Sequence, residues 1–147
     1  MTDTSMITLW HQRARPQPTE RDFDIQVGVH LEEVVEMLNA LDGNDAESRN
    51  KISTVAYMLS GLAEGLKAGT YSAYALNRVE VLDALCDQVV TAIGVAHCAN
   101  MDINKGLDIV NTSNWSKFDE NGQPIFDANG KIKKGPRYVP PHLDDCV

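Results

Sequence analysis

Six carboxylates on two stretches of this chain are spaced so that they could work together. Glu80, Asp83 and Asp87 recur at three and four residues, which at about 100° per residue puts them on one arc of a helix. The run His30-Leu31-Glu32-Glu33-Val34-Val35-Glu36-Met37 supplies the second set. In it Glu33 and Glu36 stand one turn apart at the edge of an apolar stripe, with Glu32 beside them. Leu76, Ala84, Val90, Thr91, Gly94 and Cys98 flank the first arc, and neither Lys nor Arg occurs between Arg78 and Lys105. Burying ionised carboxylates without partners costs several kcal/mol each. The arc therefore calls for a cation, a second acidic helix sharing metal ions, or full exposure. Oxygen ligands drawn from two helices suit hard cations such as Mg2+ or Mn2+ better than zinc. A divalent ion held there would lower the pKa of a bound water.

Five helices are expected to position these acids. A short N-terminal helix carries Trp10 and His11 and gives way to a turn at Pro16 and Pro18. The second runs from about Phe23 to Leu41 on Val27, Leu31, Val34, Leu38 and Leu41, with Asp42-Gly43 as its stop. Asn44 or Asp45 caps the third, whose apolar set is Ile52, Val55, Leu59, Leu62 and Leu66 and which ends at Gly69. The fourth, over Val79 to Ala99 and capped from Thr70 or Ser72, carries a core-facing stripe of Leu82, Leu85, Val89, Ile93 and Ala96 opposite its acids. Asp102 caps the fifth, Ile103 to about Trp115. Beyond Phe118 the turn signals Asn121-Gly122 and Asn129-Gly130, with Pro124, Pro136, Pro140 and Pro141, describe an irregular arm with room for one hairpin. The expectation is an all-α helical bundle over residues 1–117 with a C-terminal arm over 118–147. Within the arm, Lys131, Lys133, Lys134 and Arg137 form a basic cluster, either a solvated surface or a cover for something anionic.

The runs Glu32-Glu33-Val34-Val35-Glu36, Glu80-Val81-Leu82-Asp83-Ala84-Leu85-Cys86-Asp87 and Asn100-Met101-Asp102-Ile103 resemble the all-α nucleoside triphosphate pyrophosphohydrolases. These are the MazG-like enzymes, with phosphoribosyl-ATP pyrophosphohydrolase among their relatives, and their signature is E-E-x-x-E on one helix and E-x-x-D on another. Asn111-Thr112-Ser113-Asn114-Trp115-Ser116-Lys117 is similar to the S-N-x-S-K ending of small phage-type members. The resemblance spans residues 23–117 and extends weakly into the arm. It implies that Glu33 and Glu36 are metal ligands, that Glu32 orients or deprotonates the attacking water, and that Glu80 and Asp83 complete the cage. Asp87 competes with Glu80 for the second motif, so both registers stay open, and a whole additional helix separates Glu36 from Glu80. The implied reaction is hydrolysis of a (deoxy)nucleoside triphosphate, a purine one such as dGTP or dATP, to monophosphate and pyrophosphate. Lys117 and Asn114 would contact phosphates, and Arg137, Lys133 or Lys134 could cover the same charge. Trp10 could stack on a base or anchor the first helix in the core. Gln26, about two turns before Glu33, could read a base edge or simply pack.

Composition sets outer bounds. Asp and Glu number 21 against 13 Lys and Arg, a net charge of -8, which argues against a nucleic-acid binder dependent on phosphate contacts. No apolar run approaches the ~20 residues that span a bilayer. Cys86, Cys98 and Cys146 are odd in number and lack C-x-x-C spacing, which fits a reducing, cytoplasmic location, that of the host cell if the chain is phage-encoded. Cys86 and Cys98 read as small core residues, and Met37, Met58 and Met101 as gap-fillers. His11, His30 and His97 lack zinc-site spacing. Apolar residues on several helix faces favour a homodimer or homotetramer. A non-enzymatic acidic interaction module competes with the enzyme reading. A di-iron carboxylate bundle is disfavoured because no acid has a His three residues on.

Overall fold

The computed structural model describes residues 4–147; residues 1–3 of the N-terminal segment lie outside the described residues. The chain is all-α, with five helices: α1 Thr4–Ala14, α2 Glu20–Ala40, α3 Ala46–Ala68, α4 Arg78–Cys98 and α5 Ile103–Trp115. A single 3-10 turn, Asp144–Cys146, closes the chain. None of the helices among the described residues is long and apolar enough to cross a membrane. The contacts group the chain into two compact units. One comprises Pro18–Tyr74 and Ala128–Lys131, the other Met1–Gln17, Ala75–Asp127 and Ile132–Val147.

The first of these units is the antiparallel hairpin of α2 and α3. Helix α2 begins three residues before Phe23 because Thr19 and Asp22 form a reciprocal capping box, each side chain bonding the other's backbone. Asp45 caps α3 by accepting from Ser48 N at 2.7 Å. The two helices close on small residues. A Cβ on Gly28 would come within 2.8 Å of the Ala63 carbonyl oxygen, and Ile25, Ala56, Ala63 and Leu66 are buried in the hairpin. Val55 and Leu62, assigned to the α3 core stripe from their spacing, are exposed. The contact line is set by where the backbones can approach most closely, and branched side chains at 55 and 62 would hold them apart. Arg21 reaches across to donate to the Leu66 and Lys67 carbonyls, satisfying orphan acceptors at the end of α3.

Past α3 the chain does not cap α4 from Thr70 or Ser72. Ser72 Oγ donates instead to the buried carboxylate of Asp24 at 3.3 Å, and Ala73 N donates to the same oxygen at 2.8 Å. With 72 and 73 committed to α2, the cap falls to Asn77, whose side chain accepts from Val79 and Glu80 N.

In the other unit, α1 and α5 pack around Trp10, Ala14 and Phe118, with Trp115 and Ile132 against them. Trp10 lies parallel to Phe118 with ring centroids 5.6 Å apart, and Trp115 meets Phe118 edge-on at 5.5 Å. The C-terminal residues fold back onto α5. Ser113 Oγ donates to the Val139 carbonyl at 2.7 Å, and Ser116 Oγ accepts from Val139 N at 2.9 Å. Gly135 N donates to the Lys117 carbonyl at 3.1 Å. Of the hairpin that the turn signals allow, one antiparallel bridge forms, Phe126 to Ile132. Helix α4 has no buried residue, and within its unit it meets α5 alone. Its stripe of Leu82, Leu85, Val89 and Ile93 is therefore exposed rather than core-facing. Cys86 and Cys98 are exposed for the same reason, since they ride on a helix nothing covers, whereas Cys146 is buried. Met37, Met58 and Met101 also lie on open faces and fill no gap.

Candidate functional site

The acidic residues divide between the two units. Glu32, Glu33 and Glu36 belong to the hairpin; Glu80, Asp83 and Asp87 are exposed along α4 in the other unit.

Within the hairpin the one-turn spacing of Glu32 and Glu36 brings both to a cavity of about 190 Å³. Helix α3 supplies the opposite wall with Ser60, Glu64 and Lys67. Glu33, one position on from Glu32, points to the exposed side of α2. Glu32 is held by two ammonium groups: Lys67 Nζ at 2.6 Å from Oε1 and Lys131 Nζ at 2.8 Å from Oε2. Burial pushes its carboxyl up, but hydrogen bonds from Lys131 and Lys67 outweigh that and hold it below its usual value. A carboxylate so held is a poor proton acceptor. The role of deprotonating the attacking water, which the resemblance gives to Glu32, therefore sits badly with its surroundings, since both of its oxygens are paired with ammonium groups.

Lys131 is steered onto α2 by the Asn129-Gly130 turn. Gly130 takes φ 83°, a conformation that favours glycine, and a Cβ there would stand 3.2 Å from Ile25 Cδ1, so the turn sits close against Ile25. Lys67 and Glu64 were not singled out by sequence. They lie three apart on α3, an E-x-x-K pattern overshadowed by the apolar stripe of that helix.

Among the described residues of either unit, no three His, Cys, Asp or Glu gather closely enough to form a ready-made metal cage. The oxygen donors at the hairpin cavity, Glu36 and Glu64, nevertheless fit magnesium in kind. That ion keeps several waters and commonly takes only one or two carboxylates, with substrate phosphates as further ligands.

Of the residues assigned to nucleotide recognition, Trp10 is a core residue. It is 9% exposed, one ring face is covered by Phe118, and its indole N–H is spent on the Asn114 carbonyl at 2.9 Å. It is not available to stack on a base. Asn114 and Lys117 are half-buried at the end of α5, and Gln26 is exposed on α2. Of the basic cluster, Lys131 pairs with Glu32 and Lys134 lies 4.8 Å over the Tyr138 ring. A larger cavity of about 480 Å³ lies beside α5, lined by Ile109, Ser113, Val139, Pro140 and Pro141 among others. It is apolar and carries one acid, Asp108, so it offers little for phosphate chemistry.

No family model, curated protein or solved structure matches the chain.

Proposed function

We propose that this chain is a Mg2+- or Mn2+-dependent nucleoside triphosphate pyrophosphohydrolase that converts a (deoxy)nucleoside triphosphate to its monophosphate and pyrophosphate. The purine deoxynucleotides dGTP and dATP are the first candidates, and a reducing cytoplasm is the setting. The observation that carries the reading is the hairpin cavity, where carboxylates from two helices and a lysine open on one space. Its acidic motif is the E-E-x-x-E run on which the resemblance rests. Glu36 on α2 and Glu64 on α3 are the proposed ligands at this cavity; the resemblance adds Glu33 on α2, and Glu80 and Asp83, or Asp83 and Asp87, on α4 as further candidate ligands.

A bound divalent ion would supply a water of lowered pKa and neutralise phosphate charge. The chain does the rest. Glu36, which no lysine holds, orients the attacking water and receives its proton. Glu32 pairs with Lys67 and Lys131. The resemblance assigns phosphate contacts to Lys117 and Asn114, and Gln26 on the hairpin is proposed to read the base. The test is pyrophosphate release from each of the eight common ribo- and deoxynucleoside triphosphates with magnesium or manganese. Release from one class, abolished by chelator, supports the reading; none from any of the eight removes it.

The state proposed for the active protein is a homodimer or homotetramer. A helix apolar on more than one side is normally covered, and on α4 Val79 is 78%, Leu82 63% and Val90 65% exposed. The same exposure favours the second reading, an acidic interaction module in which α4 presents Glu80, Asp83 and Asp87 to a basic partner. Manganese binding by the purified chain separates the two, since a mere docking surface has no use for the ion.

A further inference from the structure

We propose that Lys67 and Lys131 are the phosphate clamp of this site and that Glu32 fills the clamp until a metal-complexed polyphosphate arrives. The ligand class rests on the hydrolase reading above; the clamp itself rests on geometry. Two ammonium groups sit on the two oxygens of one carboxylate, at 2.6 and 2.8 Å, as they would on two oxygens of a phosphate. A single lysine would neutralise Glu32. Holding the second still costs side-chain entropy, while an ion pair this accessible returns little stability. Stability therefore gives little reason for the second cation, yet the fold goes to some length to place it. The Asn129-Gly130 turn is seated on Ile25 so that Lys131 reaches α2.

The surroundings define what the clamp takes. Glu36 and Glu64 line the same cavity as Glu32 and Lys67, and three carboxylates against two ammonium groups leave a net negative charge. A bare anion is repelled there. One divalent ion reverses the balance, so the ligand is a phosphate chain that brings its metal with it. Lysine suits the task, since its ammonium acts as a rotatable point charge able to leave a carboxylate for a phosphate oxygen.

The experiment is calorimetric titration of the full chain with inorganic tripolyphosphate, with and without Mg2+, using wild type, Lys67→Met, Lys131→Met and Glu32→Gln, with helicity followed by circular dichroism. Wild type should bind only with Mg2+. Each lysine variant should bind tenfold or more weakly with unchanged helicity, and Glu32→Gln should bind several-fold more tightly because its competitor is gone. Equal affinity in wild type and both lysine variants, or a Glu32→Gln loss matching theirs, overturns the clamp. Failure of the parent reading looks different: weakened binding in the lysine variants, with no nucleotide hydrolysed by wild type, keeps the clamp and removes the hydrolase. Hydrolysis by wild type, with tripolyphosphate affinity unmoved in the lysine variants, does the reverse.

Discussion

The α2–α3 hairpin and helix α4 carry the same signals in sequence and meet opposite fates. All three helices exceed twenty residues, each has an apolar stripe at three and four, and α2 and α4 add acids one turn apart. The hairpin buries Ile25, Ala56, Ala63 and Leu66, whereas α4 buries nothing. The difference lies in small residues. Gly28 against Ala63 lets two backbones approach until side chains on both are sealed. Gly94, by contrast, has no atom within 4 Å of where its Cβ would stand. Periodicity reports that a face wants cover; it does not report what covers it.

The sharpest way to break that comparison is truncation on each side of it. Leu66→Ala, at 2% exposure, should cost about 2–5 kcal/mol of unfolding free energy in urea titrations. Leu82→Ala on α4 should stay within about 0.5 kcal/mol at low protein concentration. A Leu82→Ala penalty that grows as the chain is concentrated would show a second copy covering α4. A smaller effect is expected at the close approach itself. Gly28→Leu should lose about 1–3 kcal/mol to overpacking against Ala63 and Lys67, whereas the same change at Gly94, inside α4 and unobstructed, should gain up to about 1 kcal/mol from helix propensity in the same assay.

How much of this was legible in sequence follows from the same physics. Asp45 and Asp102 announced their helices because capping is local chemistry: a side-chain oxygen meets an N–H three residues on. The α4 cap did not, because Ser72 answers to Asp24, 48 residues away, and no local rule contains that bond. Trp10 offered two roles, and only the distant Phe118 and Asn114 decide for the core. At the cavity Glu32 and Glu36 were visible as a motif. Their neighbours Glu64 and Lys67 were not, because pairing across a hairpin depends on the register at Gly28. Lys131 was noticed for its charge but not for its partner, which lies 99 residues away.

The smallest predicted effect concerns pH. Glu32 has a folded pKa below its unfolded one, so the stability it contributes is present above its unfolded pKa, ~4.3–4.5, and is lost as pH falls through the folded value. Thermal melts from pH 6 to pH 3 should show this loss in wild type and a flatter profile in Glu32→Gln. Identical profiles would mean that the lysines contribute nothing to the fold through Glu32.

The central proposal is that the acids lining the α2–α3 hairpin cavity serve a metal-dependent hydrolysis. Its most direct measurement is pyrophosphate release from dGTP and dATP with magnesium by wild type, Glu36→Gln and Glu64→Gln, each checked for unchanged helicity. The account predicts release by wild type and loss to background in both variants. Wild-type rates in either variant would contradict it.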